Sequence, residues 1–587
     1  MSDTLGRGTP LRRLLPYHSR YKLPFWGGMG LLVAARAFEA GVPWFLKTGI
    51  DSVAAGASRT DLLWPCLGIA ACVLARYVSI VFGRLAIRRI GVAVAYDLRK
   101  RVYAHLQLQG SGFFARFPTG DLMARAINDI NLIRQLIGGG LRTLIVIAGA
   151  AVIGFTCMFL LAPGLALLLL IPLPVIAWTG WRMSRVVFAR SRAVQEGFST
   201  LSEQVQENLN GIRTVQALVQ EEREIERFDA INGDYAERFY RLSAVNSQLA
   251  AVMPWLGAFA TAIILGVGGT LVLDGHMTIG TFTAFFTYVA MVLWPARQAG
   301  QLVTLWQQGA SGTERLFELL DAEPEIQGPA AGLGPLRLDG RVRLDALGYR
   351  YPGTAAASLD GVTIEISAGE TIAVLGRVGT GKSTLLKLFV RLLDPPPGTL
   401  LLDGADVREL PLGELRERVV LVPQDPFLFG DTLRNNVSYD APARPAERVW
   451  EALTEAALRP TVESMPDRLG TVVGERGVTL SGGQKQRSTL ARGIIQAPDI
   501  LLLDDCFSSV DTETEEEILD ALFAARAGRT TLLVSHRVST ARHADRILVL
   551  DDGRIAELGT HAELLAAGGW YAALEARQRQ RREASHG

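Results

Sequence analysis

At 587 residues the chain exceeds one ordinary domain, and its length predicts about three or four. Hydrophobic residues make up 49% and charged residues 20%, slightly more apolar than an average soluble protein. A formal net charge of +1 supplies no basic field, so no nucleic-acid partner is expected. The four cysteines lack metal-ligand spacing, which argues against a cysteine metal centre or a disulfide framework.

Six apolar runs dominate the chain up to about residue 310. Each approaches the ~20 apolar residues of a membrane-spanning helix, and several are too long and apolar for a soluble helical domain. The basic leader before the first run also allows a secretory signal, but the apolar pattern continues to about Gly49 and favours an uncleaved span. The six predicted spans are 24–49, 62–87, 136–161, 164–181, 249–273 and 279–295.

Arginine is distributed unevenly between these runs, which predicts their orientation. The segments 88–134 and 182–241 are rich in arginine, whereas the other three connections contain little Lys or Arg. Because cytoplasmic loops carry the positive charge, the N-terminus and the C-terminal half should both be cytoplasmic. The two basic segments are helical in period, so the spans should continue into the cytoplasm as long helices.

Each long inner segment contains one predicted turn. Around 111–122, the aromatic residues Phe113, Phe114 and Phe117 are expected to project outward from a segment that contains Pro118 and Gly120. Around 210–217, Gly211 interrupts a helical pattern. The aromatics could simply pack the turn. We favour the alternative that the two turns are coupling elbows that dock against a cytoplasmic domain.

From about residue 341 the pattern changes to short strand-like runs separated by Gly and Pro, and one run leads into a phosphate-binding motif. The run 371–376 reads as a buried strand, and 385–393 continues as a helix. A strand, a glycine-rich loop and a helix are the context that GxxxxGK[ST] requires for nucleotide binding. The predicted ATP-binding loop comprises Gly376, Arg377, Val378, Gly379, Thr380, Gly381, Lys382, Ser383 and Thr384.

Two further motifs accompany this loop. The strand 500–503 ends in Asp504, whose carboxylate is placed to hold the Mg²⁺ of a bound nucleotide together with the Ser383 hydroxyl. The second motif resembles an anion cradle at a helix start, which is redundant within one chain but useful if it covers nucleotide held by a partner. It comprises Leu480, Ser481, Gly482, Gly483 and Gln484.

The phosphate loop, LSGGQ, the aspartate strand and Ser535-His536-Arg537 together resemble the nucleotide-binding domain of the ABC transporter superfamily. With six preceding spans, the resemblance is to exporter-type half-transporters of the multidrug and lipid-export kind, and it covers essentially the whole chain. It implies that Tyr351 stacks on adenine, that Gln424 contacts Mg²⁺ and water, and that His536 contacts the γ-phosphate. It also implies interface segments at Ser509, Asp511, Glu475 and Arg476.

The domain organisation follows from these assignments. We predict an α-helical six-span transmembrane domain followed by an α/β P-loop nucleotide-binding domain, in a multi-pass protein of a bacterial inner membrane. ATP and Mg²⁺ are the expected cofactors, and a second half-transporter, membrane lipids and small hydrophobic substrates are the expected partners. The predicted boundaries are 1–22 for an N-terminal segment, 23–315 for the transmembrane domain, 316–340 for a linker, 341–580 for the ATPase domain and 581–587 for a tail.

One residue departs from the family pattern. The position after Asp504 is Asp505, where the family usually has the glutamate that polarises the attacking water. A carboxylate shorter by one methylene lies about 1.5 Å further from that water, and such a displacement can cost ~10²-fold in rate. We therefore favour one arm of a heterodimer with a slow site. A slow homodimer, or one that relies mainly on His536, is the alternative.

Ionisable residues inside the predicted spans are a further candidate feature. Arg36 and Glu39 lie three residues apart and share one helix face, and Arg76 and Arg142 are weaker candidates. Charges in a bilayer usually face a partner or a cavity. Either a structural pair or a lining of the substrate path fits this spacing.

Overall fold

The computed structural model describes residues 10–296, 299–329, 336–474, 477 and 479–586. The chain forms two compact units. The first comprises the described residues up to Leu108 and from Phe117 to Glu323, and the second comprises Gln109–Arg116 and the described residues from Pro324 onward. The ATPase region predicted from residue 341 lies within the second unit, which additionally includes one short segment from the predicted first elbow.

The regular elements described before residue 321 are all helices. A 3-10 turn, Pro10–Leu14, precedes them, and π-helical segments occur at Arg125–Asp129, Leu136–Gly140 and Ile264–Gly268. The α-helices are α1 Leu15–Ser19, α2 Lys22–Ala54, α3 Leu63–Leu106, α4 Ser111–Arg116, α5 Thr119–Ala124, α6 Ile130–Gln135, α7 Leu141–Leu161, α8 Pro163–Leu169, α9 Pro172–Asn210, α10 Ile212–Ala217, α11 Glu221–Ile263, α12 Gly269–Leu273, α13 Ile279–Ala296 and α14 Ala299–Leu320.

Among the described residues, four helical stretches are long and apolar enough to cross a membrane. They are Lys22–Ala54, Leu63–Leu106, Thr119–Leu161 and Glu221–Leu273. A shorter apolar helix covers Ile279–Val292. These five stretches cover most of five predicted spans, but the predicted count of six is not confirmed.

The predicted span 164–181 is not one continuous helix. α8 ends at Leu169 and α9 begins at Pro172. Proline lacks a backbone N–H and clashes with the preceding helical turn, so the helix stops before Pro172 and restarts with this residue in its first turn. This is the predicted span that is not confirmed among the described helices.

The predicted long inner helices are present. α3 has 44 residues, α9 has 39 and α11 has 43. At a rise of 1.5 Å per residue, each is at least about 58 Å long, well beyond the ~30 Å hydrocarbon core of a bilayer. The excess length belongs to their charged portions, as the arginine-rich segments predicted.

Short helices occupy both predicted elbows. α4 and α5 cover the first, with Phe113 and Phe117 buried and Phe114 45% exposed. The expectation that all three aromatic rings project outward was therefore wrong for two of them. α10 follows Gly211 in the second elbow, and the described side chains of this helix include no buried ones. Docking by either elbow stays a prediction.

Charged residues predicted within the spans form a small ion-pair cluster. Arg36 pairs with Glu39 on α2, and Arg76 on α3 approaches the same carboxylate at 3.0 Å. The Arg36 side chain is buried. The structural pairing is therefore present, while a function in the substrate path stays a prediction.

The second unit contains two sheets. A four-stranded sheet has the order β2-β1-β4-β5, and a six-stranded sheet has the order β10-β9-β3-β8-β7-β6. The strands are β1 Val342–Tyr349, β2 Leu359–Ile366, β3 Thr371–Gly376, β4 Leu400–Leu402, β5 Ala405–Asp406, β6 Val419–Val422, β7 Ile500–Asp504, β8 Thr530–Val534, β9 Arg546–Asp551 and β10 Arg554–Gly559.

Helices surround these sheets along the chain. The helix that follows the phosphate loop, α15, and the helix that follows LSGGQ, α20, both begin within their motifs. The helices are α15 Lys382–Phe389, α16 Leu412–Arg418, α17 Leu433–Val437, α18 Ala446–Glu455, α19 Arg459–Glu463, α20 Gly482–Ile494, α21 Thr512–Ala525, α22 Val538–Ala541, α23 His561–Ala567 and α24 Trp570–His586.

The central strands of the larger sheet are parallel, and this arrangement brings the predicted nucleotide-site residues to one edge of the sheet. β3 pairs with β8, β8 with β7 and β7 with β6, all in parallel. Their apolar side chains are buried almost without interruption, as expected for strands covered on both faces. Parallel strands end at the same edge, so the residues that follow β3, β6, β7 and β8 meet there.

Candidate nucleotide site

The phosphate loop connects β3 directly to α15. Gly376, Gly379 and Gly381 have φ values of 152°, 89° and 96°. A Cβ at Gly381 would lie 2.3 Å from the Ser358 carbonyl oxygen, and one at Gly376 would lie 2.3 Å from that of Leu550. Both positions therefore need glycine for space as well as for conformation.

Lys382 begins α15 and folds over this loop. Its Nζ donates to the carbonyl oxygens of Gly376 at 2.9 Å and of Arg377 at 2.6 Å. Burial lowers the pKa of Lys382, and the nearby carboxylates of Asp505 and Asp504 oppose that shift. The Lys382 ammonium lies against the carbonyl oxygens of the loop. The outer phosphates of a bound nucleotide would supply negative charge that balances it.

Two of the three predicted Mg²⁺ ligands, Ser383 and Asp504, lie next to each other. The Ser383 hydroxyl donates to Asp504 Oδ1 at 3.0 Å, and Asp504 is buried at the end of β7. Burial raises the pKa of Asp504, while the Ser383 hydrogen bond and nearby lysines oppose the shift. Hydroxyl and carboxylate oxygens are the ligands that Mg²⁺ prefers, and it usually binds one or two protein groups plus phosphates and water. This pair fits that ion.

Asp505 follows at the same sheet edge. Its carboxylate accepts a hydrogen bond from Gln424 Nε2 at 3.2 Å, and its backbone has φ 44°. Burial raises the pKa of Asp505, against the opposing effect of His536. The structure thus brings together two residues, 81 positions apart in the chain, that the family resemblance assigned to the attacking water.

His536 follows β8, and its backbone carbonyl is held from a distant helix. Gln578 Nε2 on α24 donates to the His536 carbonyl at 2.8 Å, and Gln578 Oε1 accepts from the Val538 N–H at 3.0 Å. Desolvation and the nearby Lys382 lower the pKa of His536, which favours a neutral imidazole. Sequence reasoning missed Gln578, because its separation of 42 residues from His536 leaves no local pattern.

Tyr351 lies beside the start of α15. Its hydroxyl shares a hydrogen bond of 3.2 Å with the Thr384 hydroxyl, and its ring contacts that of Tyr349 edge-to-face at 5.2 Å. The predicted adenine-stacking residue and the phosphate loop are therefore neighbours. The stacking itself stays a prediction.

The LSGGQ segment begins α20 with a reciprocal cap. Ser481 Oγ accepts from the Gln484 N–H at 3.3 Å, while Gln484 Oε1 accepts from the Ser481 N–H at 3.0 Å. This capping box fixes the helix start. No hydrogen bond joins LSGGQ to the phosphate loop among the described residues.

The segment predicted to face a partner lies against LSGGQ. A Cβ at Gly483 would lie 2.9 Å from the Ser509 carbonyl oxygen, and Gln486 Oε1 accepts from the Ser509 N–H at 2.8 Å. Asp511 caps α21 by accepting from the Thr514 N–H at 2.9 Å, which lowers the pKa of Asp511. Glu475 and Arg476 lie outside the described residues.

A phosphate loop, an oxygen pair for Mg²⁺ and membrane-length helices in one chain define an ATPase coupled to a membrane unit. The family model for the ABC transporter transmembrane region matches residues 25–296, and the ABC transporter model matches residues 359–508. The chain belongs to the ABC transporter family, in which it is an exporter-type protein with fused membrane and ATP-binding parts.

Relatives and one solved structure match nearly the whole chain. The probable multidrug resistance ABC transporter protein YheI of Bacillus subtilis is 32% identical over 96% of each chain. An ATP-dependent lipid A-core flippase of Syntrophus aciditrophicus is 32% identical over 95% of this chain and 93% of the relative. A bacterial Atm1-family ABC exporter with ATP bound is 27% identical, with TM-score 0.77, over 94% and 99%. The chain is an integral membrane ATPase that drives export.

Proposed function

We propose that this chain is one arm of a heterodimeric exporter and that its own nucleotide site turns over slowly. The observation that carries the proposal is Asp505, which stands where the family usually has glutamate and lies against Gln424 at 3.2 Å. The remainder of the site keeps the family pattern, including His536 and LSGGQ. A chain that retains every binding motif but has a shortened catalytic carboxylate fits the arm that binds ATP well and cleaves it slowly.

Two chains would hold ATP between them. The phosphate loop of one chain would bind the phosphates, and LSGGQ of the other would cover them through the N-terminus of α20. A second anion cradle is redundant within a chain that already has a phosphate loop, which supports pairing with a second chain. Only the closed pair makes both sets of contacts, so nucleotide binding would favour closure and reorient the membrane helices.

Within this site each side chain would have a separate task. Lys382 would neutralise the outer phosphates, Ser383 and Asp504 would hold Mg²⁺ with Gln424 as a further contact, and His536 would hydrogen-bond the γ-phosphate. Bound Mg²⁺ would offset negative charge on the phosphates. Asp505 would orient the attacking water from about 1.5 Å too far away, which is the reason to expect slow cleavage.

Hydrophobic or amphipathic molecules, drug-like or lipid, are the substrates we propose, exported by alternating access from the cytoplasmic side of a bacterial inner membrane. Relatives named for multidrug resistance and for lipid A-core flipping support both classes. A lipid flippase is the second candidate. A regulatory arm that mainly binds ATP and gates its partner is the third, and Asp505 favours it too.

The asymmetry is tested with two substitutions in the assembled transporter. Asp505→Ala should change steady-state ATPase activity by less than about twofold, because the partner's site performs most turnover. Ser481→Arg should abolish it, because a bulky cation would block the cradle that serves the partner's nucleotide. Equal losses from both variants would contradict the heterodimer and support a slow homodimer.

Substrate class and pumping are tested separately. In proteoliposomes, stimulation of ATPase activity by added lipid but not by drug-like amphiphiles would favour the flippase. ATP-dependent accumulation in inside-out vesicles would exclude a purely gating arm. Vesicles that hydrolyse ATP without accumulating either class of substrate would contradict export by this arm.

A further inference from the structure

His536, which the proposed function places on the γ-phosphate, lies on a short segment between β8 and α22. Ser535 and Val538 in this segment are buried, whereas His536 is exposed. Burial and the charge of Lys382 lower the pKa of His536, and the carboxylate of Asp505 opposes that shift. The imidazole therefore lies within electrostatic reach of the nucleotide site. The position of its backbone decides what the imidazole can contact there.

Gln578 on α24 forms two hydrogen bonds with this segment. Its Nε2 donates to the His536 carbonyl oxygen at 2.8 Å, and its Oε1 accepts from the Val538 N–H at 3.0 Å. Val538 begins α22, and the first N–H groups of a helix have no partner within that helix. One planar amide group therefore holds the backbone that immediately follows the His536 Cα.

The packing of α24 keeps Gln578 at this place. Tyr571 is fully buried in an apolar cluster that also contains Val538, and Leu574 packs against the same cluster. Positions 571, 574 and 578 lie three and four residues apart, so they share one face of the helix. The apolar contacts that dock α24 therefore also present Gln578 to the His536 segment.

A separate set of contacts attaches the neighbouring residues, so Gln578 is not needed to hold the segment on the domain. Arg537 pairs with the buried carboxylate of Glu515 on α21. Thr540, on α22, donates a hydrogen bond to the same carboxylate. Loss of the Gln578 amide would leave both of these contacts in place, whereas the backbone at His536 would lose its hydrogen bond.

We infer that Gln578 is a positioning residue for ATP cleavage, which holds the His536 backbone where the imidazole meets the γ-phosphate. The inference rests on the proposed contact between His536 and the γ-phosphate, and it does not depend on the proposed heterodimer. Gln578 itself would contact neither nucleotide nor Mg²⁺. Its effect passes through His536, because a displacement near 1 Å in an active site can cost ~10²-fold in rate.

The test is single-turnover hydrolysis of bound ATP by the purified, assembled full-length transporter in the presence of Mg²⁺. His536→Ala identifies the hydrolysis phase that belongs to this chain's site, as the phase that this variant slows. Gln578→Met should slow the same phase by about 10- to 100-fold. Methionine has a similar length and helix propensity to glutamine but cannot donate to the His536 carbonyl.

Gln578→Glu isolates one of the two hydrogen bonds. A carboxylate still accepts from the Val538 N–H, but it has no N–H to donate to the His536 carbonyl. This variant should therefore slow the hydrolysis phase about as much as Gln578→Met. A Gln578→Glu chain that hydrolyses ATP at the unmodified rate would overturn the role assigned to the His536 carbonyl bond.

A double variant separates positioning from a general structural role. Because Gln578 would act through the imidazole, Gln578→Met combined with His536→Ala should be no more than about twofold slower than His536→Ala alone. Rate losses that multiply in the double variant would mean that Gln578 acts independently of His536, and they would overturn the inference.

Gln580→Met is the matched control, because Gln580 is on the same helix and its side chain is exposed. The hydrolysis rate of this variant should stay within about twofold of the unmodified rate. ADP binding, measured by isothermal titration calorimetry, is the second control. ADP has no γ-phosphate, so Gln578→Met should change its affinity by less than about twofold. ADP binding weakened as strongly as hydrolysis is slowed would show a disordered site and overturn the inference.

The outcomes distinguish this inference from the proposed function. A hydrolysis phase slowed by His536→Ala but not by Gln578→Met would overturn the positioning role and leave the γ-phosphate contact standing. If His536→Ala slows no phase, the proposed contact and the inference both fail. The heterodimer is tested independently, by Asp505→Ala and Ser481→Arg.

Discussion

Asp505 illustrates how one side chain combines a chemical and a conformational requirement. Its φ of 44° lies in the left-handed region, where aspartate is several-fold more common than most residues with a Cβ. The same residue accepts the Gln424 hydrogen bond and has a pKa raised by burial. A longer carboxylate at this position would gain reach toward the attacking water at a small conformational cost.

The first prediction concerns this position. Asp505→Glu should accelerate cleavage at this site by about 10- to 100-fold, because the carboxylate moves ~1.5 Å toward the water. Single-turnover hydrolysis of bound ATP in the assembled transporter would resolve the slow phase that belongs to this site. Asp467→Glu, on the exposed surface, is the control. An unchanged slow phase would contradict the assignment of Asp505.

At the scale of elements, the phosphate loop and LSGGQ, which begin α15 and α20, each pack closely against the backbone of another segment. The start of α20 packs against the segment that contains Ser509, and glycine makes that approach possible. Gln486 adds a hydrogen bond to each of Ser508 and Ser509, at 2.8 Å. LSGGQ and the segment after β7 therefore pack together as one surface, although Gln484 and Ser509 are 25 positions apart in the chain.

The second prediction compares two adjacent glycines of α20. Gly483→Ala should destabilise the chain by ~1–3 kcal/mol, because its Cβ would lie 2.9 Å from the Ser509 carbonyl oxygen. Gly482→Ala should change stability by less than ~1 kcal/mol, because its nearest neighbour would be the Ser509 Cβ at 3.5 Å. Thermal unfolding of the purified full chain measures both. A lower melting temperature for Gly482→Ala than for Gly483→Ala would contradict the packing argument.

At the scale of the whole molecule, the central question is whether the second half-transporter is another copy of this chain or a different chain. Val378 is 90% exposed in the phosphate loop, and Ser481 belongs to the LSGGQ motif proposed to cover nucleotide on the other chain. In a homodimer these two positions would face each other across two copies of this chain. In the proposed heterodimer they would face different positions on the partner.

The third prediction uses this difference. A chain that carries both Val378→Cys and Ser481→Cys, expressed with its natural partner and oxidised with ATP and Mg²⁺ present, should form no cross-link between two copies of itself. Gel electrophoresis without reductant would detect such a link. Each single cysteine variant controls for Cys66 and the other native thiols. An ATP-dependent link seen only in the double variant would establish a homodimer.

Local sequence motifs were enough to predict the nucleotide site and the long apolar helices of this protein. The order of phosphate loop, LSGGQ and aspartate strand predicted the nucleotide site, because each motif is a contiguous segment that its local residue spacing identifies. Ser383 beside Asp504 lies where parallel-strand topology would bring it. Hydropathy likewise predicted the long apolar helices, since ~20 apolar residues in a row need no partner to be recognised.

Tertiary structure decided the features that depend on residues far apart in the chain. The burial of Phe113 and the hydrogen bond from Gln578 to the His536 carbonyl have no local signature in the sequence. Pro172 in the sequence could have predicted the helix break before it. A hydropathy average over ~20 residues hides the effect of a single proline. A sequence pattern predicts the local conformation and the motif of one segment. Packing and charge balance instead depend on which side chains, distant in the chain, the fold brings within a few ångströms of each other.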